Sequence, residues 1–261
     1  MKKKLILFDM DGTIYLGNDI FPYAKEVFQY LKKKGINYVF LTNNSSHDIE
    51  FYLNKVTNMG IECSIDNFYS SIETTITQLK ENNAHKIYVV GNQCLINKLK
   101  PHFTIVDKYS KDEKIDAVVA GFYTELVYEK LRDACLYLES TDCAFYATNG
   151  DYRCPIEDDK YIPDCGGMIE WMRLCTGKSA TVLGKPNPRM IYDLMAKYKV
   201  NKEDTMCVGD RLYTDIAVGN NAGVDSVCVL SGESTLEDIK KSEHKPTYIL
   251  NNIKDLIEML D

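Results

Sequence analysis

Two aspartates one residue apart, Asp9 and Asp11, end the stretch "LILFDMDGT" near the start of the chain. The apolar run before them, Leu5 to Phe8, predicts a short buried strand. Side chains at i and i+2 of an extended chain point to the same side, so the two carboxylates converge and repel each other unless a positive charge lies between them. The pattern indicates a divalent-cation site, although aspartate and glycine also suit an ordinary turn.

Three further polar clusters follow apolar runs. Thr42 and Asn43 end "FLTNN", Lys185 follows the short run in "VLGKPNP", and Asp210 ends the run in "CVGDRLYTD", where Asp215 opens the next helix. Each cluster by itself also suits a loop, a proline turn or a helix cap. Four clusters at the carboxyl ends of four strands predict one common site.

The residue types in these clusters suit chemistry on a phosphate ester. Mg²⁺ prefers carboxylate, carbonyl and water ligands, as a site with three nearby carboxylates would offer. A carboxylate can attack phosphorus and form an aspartyl-phosphate when a metal and a lysine offset the repulsion between anions, and a second carboxylate can protonate the departing oxygen and later activate water. The three carboxylates are Asp9, Asp11 and Asp210, and the donors to phosphate oxygens are Thr42, Asn43 and Lys185.

Apolar runs alternate with helical patterns along the chain. Tyr23 to Lys34 has helical periodicity and ends at Gly35, and "INYVFLTNN" then predicts a buried strand. Towards the other end, "DTMCVGD", "DSVCVL" and "PTYIL" predict strands separated by helices. This alternation predicts an α/β fold with a Rossmann-like parallel sheet, in which right-handed crossovers place the strand-to-helix loops at one edge.

The segment 81–180 is too long for one crossover and carries its own strand and helix patterns, including "KIYVVG", "IDAVVAG" and "CAFYATN". We therefore predict an inserted α/β domain at 81–180 within a core made of 1–80 and 181–261. Because Thr42 and Lys185 flank the insertion, we expect it to serve the same site.

Composition restricts the classes of partner. The net charge of −7 argues against general nucleic-acid binding, which needs a basic surface. The apolar run of "MKKKLILF" stops at Asp9, short of a signal peptide, and no segment approaches membrane-spanning length. The nine cysteines show no C-x-x-C spacing, as in reduced proteins. We expect a cytoplasmic protein that binds neither nucleic acid nor membrane.

The motifs "DMDGT", "LTNN", "GKPNP" and "GDRLYTD", in this order, resemble the four signature motifs of the haloacid dehalogenase-like hydrolase superfamily over nearly the whole chain. The resemblance implies that Asp9 is the nucleophile and that Asp11 is the general acid and base and a Mg²⁺ ligand through its backbone carbonyl. The remaining roles that it implies are phosphate binding by Thr42 and Asn43, a catalytic role for Lys185, which steadies the nucleophile and the phosphate, metal binding by Asp9 and Asp210, and orientation of metal waters or Lys185 by Asp215. Gly12 gives the backbone room to turn towards the phosphate.

"TNNSS", "ATNGDYRCP" and "VLGKPNPRMI" are similar to the subfamily of the NagD nucleotidase, p-nitrophenyl phosphatases, phosphoglycolate phosphatases and pyridoxal phosphatases. This resemblance implies a Mg²⁺-dependent phosphatase for small phosphorylated metabolites, of the nucleoside monophosphate, sugar phosphate or aryl phosphate type. It also implies that the insertion is a C2-type α/β cap, which offers a surface for a homodimer.

One stretch of the insertion departs from the subfamily pattern. Relatives usually have P-G-A-G or P-G-S-G where this chain has "PDCGG", so we expect Asp164 and Cys165 in a loop facing the substrate. Nearby charges would add an acidic rim that disfavours highly anionic substrates, although a charge run is commonly a solvated face. The same segment contains Arg153 and the acidic residues Glu157, Asp158 and Asp159.

Other functions use similar residues. A receiver-type signalling module is about half this length and lacks an insertion. A carbon–halogen hydrolase would need neither Asp11 nor the metal ligand Asp210. A phosphomutase shares the phosphoenzyme step and stays open as an alternative, as does a non-catalytic protein that binds phosphoryl ligands.

Overall fold

The computed structural model describes residues 2–156 and 160–261. Its strands are β1 (Leu5–Phe8), β2 (Tyr15–Leu16), β3 (Asp19–Ile20), β4 (Asn37–Thr42), β5 (Phe68–Ser70), β6 (Lys86–Val90), β7 (Thr104–Val106), β8 (Ala117–Ala120), β9 (Ala144–Ala147), β10 (Arg153–Ile156), β11 (Lys160–Pro163), β12 (Thr181–Val182), β13 (Thr205–Gly209), β14 (Asp225–Val229) and β15 (Tyr248–Leu250). Its α-helices are α1 (Ala24–Lys34), α2 (Ile49–Asn58), α3 (Ser71–Glu81), α4 (Gln93–Leu99), α5 (Tyr128–Ser140), α6 (Cys165–Thr176), α7 (Arg189–Tyr198), α8 (Ala217–Ala222), α9 (Leu236–Lys241) and α10 (Leu256–Leu260).

The chain divides into two compact units. The first contains 1–42, 49–69 and 185–261, and the second contains 43–48 and 70–184. The boundaries differ from the predicted ones at 80/81 and 180/181, mainly because α3 belongs to the second unit. Ile72 and Leu79 of α3 pack with Ile87 and Val89 of β6, which explains this assignment.

The first unit is built on a sheet of strand order β15-β14-β13-β1-β4-β5. β1 lies between β13 and β4 and pairs in parallel with both, with Phe8 level with Val208 and Phe40. All four residues of β1 are buried. The predicted parallel core sheet is confirmed, and it brings the carboxyl ends of these three strands to one edge.

Helices cover both faces of this sheet. Ile6 and Phe8 point into one apolar cluster with Phe28 of α1, whereas Leu5 and Leu7 point into a second cluster that includes residues of α7 and α8. Successive strand residues face opposite sides, so a continuous apolar run fits a strand that is buried on both faces. Burying each such side chain contributes about 1.5–3 kcal/mol, and β1 is thereby held firmly in the middle of the core.

The second unit has its own parallel sheet, of order β12-β9-β8-β6-β7. β12, the short strand before Lys185, pairs in parallel with β9 and belongs to this sheet. The prediction that Lys185 ends a strand of the core sheet is therefore wrong. No helix in the described part of the chain is long and apolar enough to cross a membrane.

Candidate active site

Asp9 and Asp11 follow the buried strand β1. The backbone N–H of Asp9 donates to Val208 O at 2.8 Å, which continues the pairing of β1 with β13 by one residue. The chain then turns, and Gly12 N donates to Tyr15 O at 2.8 Å. The turn leaves both carboxylates half-buried at the carboxyl edge of the sheet.

Gly12 occupies a position that other residues cannot fill. Its φ is +82°, in the left-handed region, and an added Cβ would lie 2.4 Å from Asp210 Oδ2. Only glycine adopts this conformation readily and permits this approach. The glycine of "DMDG" thus lets the turn after β1 pass directly over the Asp210 carboxylate.

Asp210 and Asp215 come from the end of β13 and the turn that follows it. Asp210 is the first residue after β13, and Asp215 lies in a π-helical turn, Leu212–Ile216, that leads into α8. Arg211 N donates to Asp215 Oδ2 at 3.1 Å, which ties this turn to the strand end. Both aspartates are almost completely buried.

Three carboxylates meet at this point. Ligand oxygens of Asp9, Asp210 and Asp215 all lie within 4.8 Å of one another. The Lys185 ammonium lies between two of them, and its Nζ donates to Asp9 Oδ1 at 2.5 Å and to Asp215 Oδ1 at 2.7 Å. Of the two contacts expected for Asp215, the one with Lys185 is therefore observed.

Burial and mutual repulsion change the ionisation of this group. Burial, with the nearby Asp215 carboxylate, raises the pKa of Asp9 to about 6, although Lys185 and Arg211 oppose the shift. Burial and the charges of Asp9 and Asp215 raise the pKa of Asp210 to about 8. Burial alone would lower the pKa of Lys185, but the carboxylates of Asp215 and Asp9 outweigh it and raise that pKa. Lys185 is therefore charged throughout the neutral range.

The carboxylates fit a hard divalent cation. Asp210 Oδ1 is buried and has no hydrogen-bond partner among the described residues. An unpaired buried carboxylate oxygen is costly in free energy, and a cation beside it would remove that cost. The carboxylate of Asp11 is not one of the three clustered groups in the described chain. This cluster of side chains does not test metal binding by the backbone carbonyl of Asp11, which stays a prediction.

The predicted phosphate-binding residues of "LTNN" fall on either side of a unit boundary. Thr42 is the last residue of β4, in the first unit, whereas Asn43 is grouped with the second. There Asn43 Nδ2 donates to Asp151 Oδ2 at 3.0 Å, and Asn149 Nδ2 donates to the same oxygen at 3.1 Å. Phosphate binding by Thr42 and Asn43 stays a prediction.

Asp164 does not lie in a loop that faces the substrate, as was expected. It is the N-cap of α6, and its Oδ1 accepts hydrogen bonds from Cys165 N at 2.6 Å and Asn149 Nδ2 at 3.0 Å. Both Asp164 and Cys165 are buried, so they form no part of an acidic rim. Arg153 is exposed in β10, whereas the predicted rim residues Glu157, Asp158 and Asp159 lie outside the described residues.

Two features of the site were not predicted. Arg211 is mostly buried beside Asp9, Asp210 and Asp215, whose charges raise its pKa against the opposing effect of burial. The segment 231–233 after β14 also contacts the site, through Glu233 N, which donates to Asp210 Oδ2 at 2.7 Å. The only sequence signal for the role of Arg211 is its position directly after Asp210. The only signal for the segment 231–233 is the glycine that follows β14.

Comparisons with known proteins agree with this geometry. A family model described as haloacid dehalogenase-like hydrolase matches residues 6–102, and a second HAD-hydrolase-like model matches residues 182–256. The acid sugar phosphatase of Staphylococcus aureus strain MRSA252 is 31% identical over 99% of this chain and 98% of its own length. The chain belongs to the haloacid dehalogenase-like hydrolase family.

Solved structures of this family are similar over the whole chain. The 4-nitrophenylphosphatase of Thermotoga maritima superposes with a TM-score of 0.91 at 35% identity, covering 99% of this chain and 98% of that one. The glycerol phosphate phosphatase of Mycobacterium tuberculosis, in complex with magnesium, gives 0.89 at 27% identity, covering 99% of this chain and 78% of that one. These relatives confirm the predicted superfamily and the predicted phosphatase class.

Lys185→Met should destabilise the metal-free protein by about 3–5 kcal/mol, because it leaves the buried Asp9 and Asp215 carboxylates without their cation. The free energy of unfolding from urea titration measures this. Lys197→Met is the matched control, since the Lys197–Asp66 pair is solvent-exposed and contributes little. Equal stability of Lys185→Met and the wild type would contradict the proposed charge balance.

The metal-free protein should lose stability as pH rises from about 5 to about 8. The pKa values of Asp9 and Asp210 are about 6 and about 8 in the folded chain, above their ordinary 3.8, so the folded state binds more protons than the unfolded state in this window. Melting temperatures measured in EDTA should fall across it, and less steeply for Asp210→Asn. A melting temperature independent of pH in the wild type would refute the expected shifts.

Proposed function

We propose that this protein is a Mg²⁺-dependent phosphatase that hydrolyses small-molecule phosphomonoesters through an aspartyl-phosphate on Asp9. The observation that carries the proposal is the Lys185 ammonium, which bridges Asp9 and Asp215 in the cluster that also contains Asp210. A nucleophilic carboxylate must approach an anionic phosphate, so it needs positive charge beside it, which Lys185 and a bound divalent cation would supply.

The first step is phosphoryl transfer to Asp9. Lys185 holds Asp9 Oδ1, and we assign the other oxygen, Oδ2, as the nucleophile. As the Oδ2–phosphorus bond forms, the bond from phosphorus to the ester oxygen breaks, and that oxygen takes a proton from Asp11. Burial raises the pKa of Asp11, despite the opposing charges of Lys55 and Arg211, which favours the protonated acid required at this stage.

The second step is hydrolysis of the acyl phosphate. Asp11, now a carboxylate, accepts a proton from water while the water oxygen attacks phosphorus. The bond between phosphorus and Asp9 Oδ2 breaks, inorganic phosphate leaves, and both aspartates return to their starting states. One residue can act first as the acid and then as the base because the two steps require opposite proton transfers.

Mg²⁺ would be held by Asp9, Asp210 and the backbone carbonyl of Asp11, where it would neutralise charge on the phosphate oxygens. The free Asp210 oxygen supports this assignment, as does the magnesium complex of the mycobacterial relative. We further propose that Gly12, Thr42 and Asn43 bind the phosphate.

The substrate class is a small phosphorylated metabolite. Relatives carry the names acid sugar phosphatase, 4-nitrophenylphosphatase and glycerol phosphate phosphatase, which supports compact monoesters with varied leaving groups. We propose that the second unit, 43–48 and 70–184, acts as the cap that selects among them and offers a surface for a homodimer. We also propose a cytoplasmic location, on the scattered spacing of the nine cysteines.

Asp9→Asn should abolish phosphate release without loss of fold, because removing a nucleophile that acts with partner groups costs on the order of 10⁶ in kcat. The assay measures phosphate release from sugar phosphates, nucleoside monophosphates, glycerol phosphate and p-nitrophenyl phosphate, with Mg²⁺ or EDTA. The matched control is Asp66→Asn, because Asp66 is exposed and pairs with Lys197 at the surface.

Release that needs both Mg²⁺ and Asp9 would support the proposal. Transfer of phosphate within a substrate, with no release, would favour a phosphomutase. Binding of phosphate esters without turnover would favour a non-catalytic binder, and normal turnover by Asp9→Asn would refute the mechanism.

A further inference from the structure

The segment Ser231–Gly232–Glu233, directly beyond β14, contacts both of the turns that carry the acidic site. Ser231 Oγ donates to Gly12 O at 2.9 Å, which anchors the segment to the turn after β1. Glu233 N donates to Asp210 Oδ2 at 2.7 Å, which anchors it to the residue after β13. The segment therefore joins two turns that are about 200 residues apart in the chain.

These contacts enclose one oxygen of Asp210. A Cβ added to Gly232 would lie 2.1 Å from Asp210 Oδ2, and one added to Gly12 would lie 2.4 Å from the same atom. Oδ2 is thus packed against two glycine backbones and accepts a hydrogen bond from Glu233 N. With Oδ2 held in this way, the carboxylate cannot rotate freely, and Oδ1 is the oxygen that has no hydrogen-bond partner in the part of the chain that the structure describes.

A charge pair holds the segment in place. Glu233 Oε2 lies 3.1 Å from Arg211 Nε, and the side chains are 32% and 21% exposed. Arg211 directly follows Asp210 and itself lies among the site carboxylates, whose charges raise its pKa although burial opposes this. The Glu233 carboxylate thus forms an ion pair with the guanidinium next to the acidic cluster.

We propose that Ser231–Gly232–Glu233 is a positioning segment that presents Asp210 Oδ1 to the divalent cation, an inference that rests on the metal site of the proposed function. The backbone N–H of Glu233 donates to Oδ2, and the backbones of Gly12 and Gly232 pack against the same oxygen. The Ser231 hydroxyl and the Glu233 carboxylate hold the segment against Gly12 O and Arg211. Residues that orient a metal ligand in this way typically change metal affinity by about 10–100-fold when replaced.

The test measures metal binding without substrate. Mn²⁺ is added stepwise to the metal-free protein, and the concentration of free Mn²⁺ is measured by electron paramagnetic resonance. Mg²⁺ is then added to displace the bound Mn²⁺. Ser231→Ala and Glu233→Ala should each weaken binding by about 10-fold or more. Gly232→Ala should weaken metal binding further, because its Cβ displaces Asp210 Oδ2.

The control is Glu237→Ala, since Glu237 is exposed and its Oε2 lies 3.5 Å from Lys241 Nζ. The metal affinity of this variant should match that of the wild type.

The melting temperature of each metal-free variant separates positioning from a purely structural role. Weaker binding by a variant that melts like the wild type supports the inference. Wild-type affinity in both Ser231→Ala and Glu233→Ala overturns it, and so does a loss of affinity that is matched by a loss of the melting transition.

Failure of this inference can be told from failure of the proposed function. If Mn²⁺ and Mg²⁺ bind the wild type but not Asp210→Asn, the metal site stands whatever the segment variants show. If neither ion binds the wild type, both the metal site and the positioning role are overturned. Phosphate release by the wild type tests the phosphatase proposal separately.

Discussion

The site depends on the repulsion between buried carboxylates and on the cations that offset it. Two unit charges 4 Å apart interact by about 4 kcal/mol at an effective dielectric constant of 20, and the three clustered carboxylates lie within 4.8 Å of one another. Lys185 compensates Asp9 and Asp215 by direct contact, with Nζ to oxygen distances of 2.5 and 2.7 Å. Asp210 Oδ1 has no hydrogen-bond partner among the residues that the structure describes, and the divalent cation that we propose would compensate its charge.

The fold produces this crowding by the arrangement of its central strands. β1 lies between β4 and β13 in a parallel sheet, so the residues after β1 and β13 meet at one edge. Both faces of the sheet are packed, which leaves the strand ends no freedom to separate. Gly12 and Gly232 then allow the backbone to close around Asp210. A rigid core thus holds together charges that would move apart on a flexible loop.

The sequence predicts the parts of this arrangement that depend on local pattern. The buried strands and the helix ending at Gly35 follow from apolar periodicity and turn residues, and the structure brings Asp9, Lys185, Asp210 and Asp215 together. The sequence does not show which sheet contains the strand before Lys185, because a two-residue apolar strand has the same local pattern in either one.

Contacts between distant segments were beyond prediction. Asp164 caps α6 and accepts a hydrogen bond from Asn149, which places it inside the second unit although its neighbours in sequence suggested a loop that faces the substrate. Likewise, nothing in "LSGES" indicates that Ser231 donates to Gly12 or that Glu233 N donates to Asp210. Such roles depend on which segments the fold brings together.

Identification of the phosphorylated residue tests the account most directly. The Asp11→Asn variant is mixed with p-nitrophenyl phosphate and Mg²⁺, quenched in acid during turnover, digested and examined by mass spectrometry. Because Asp11 is assigned to activate the water that releases the phosphate, this variant should accumulate one phosphoryl group on the peptide that contains Asp9. A phosphoryl group on any other residue, or product formation without any phosphorylated peptide, would contradict the proposed role of Asp9.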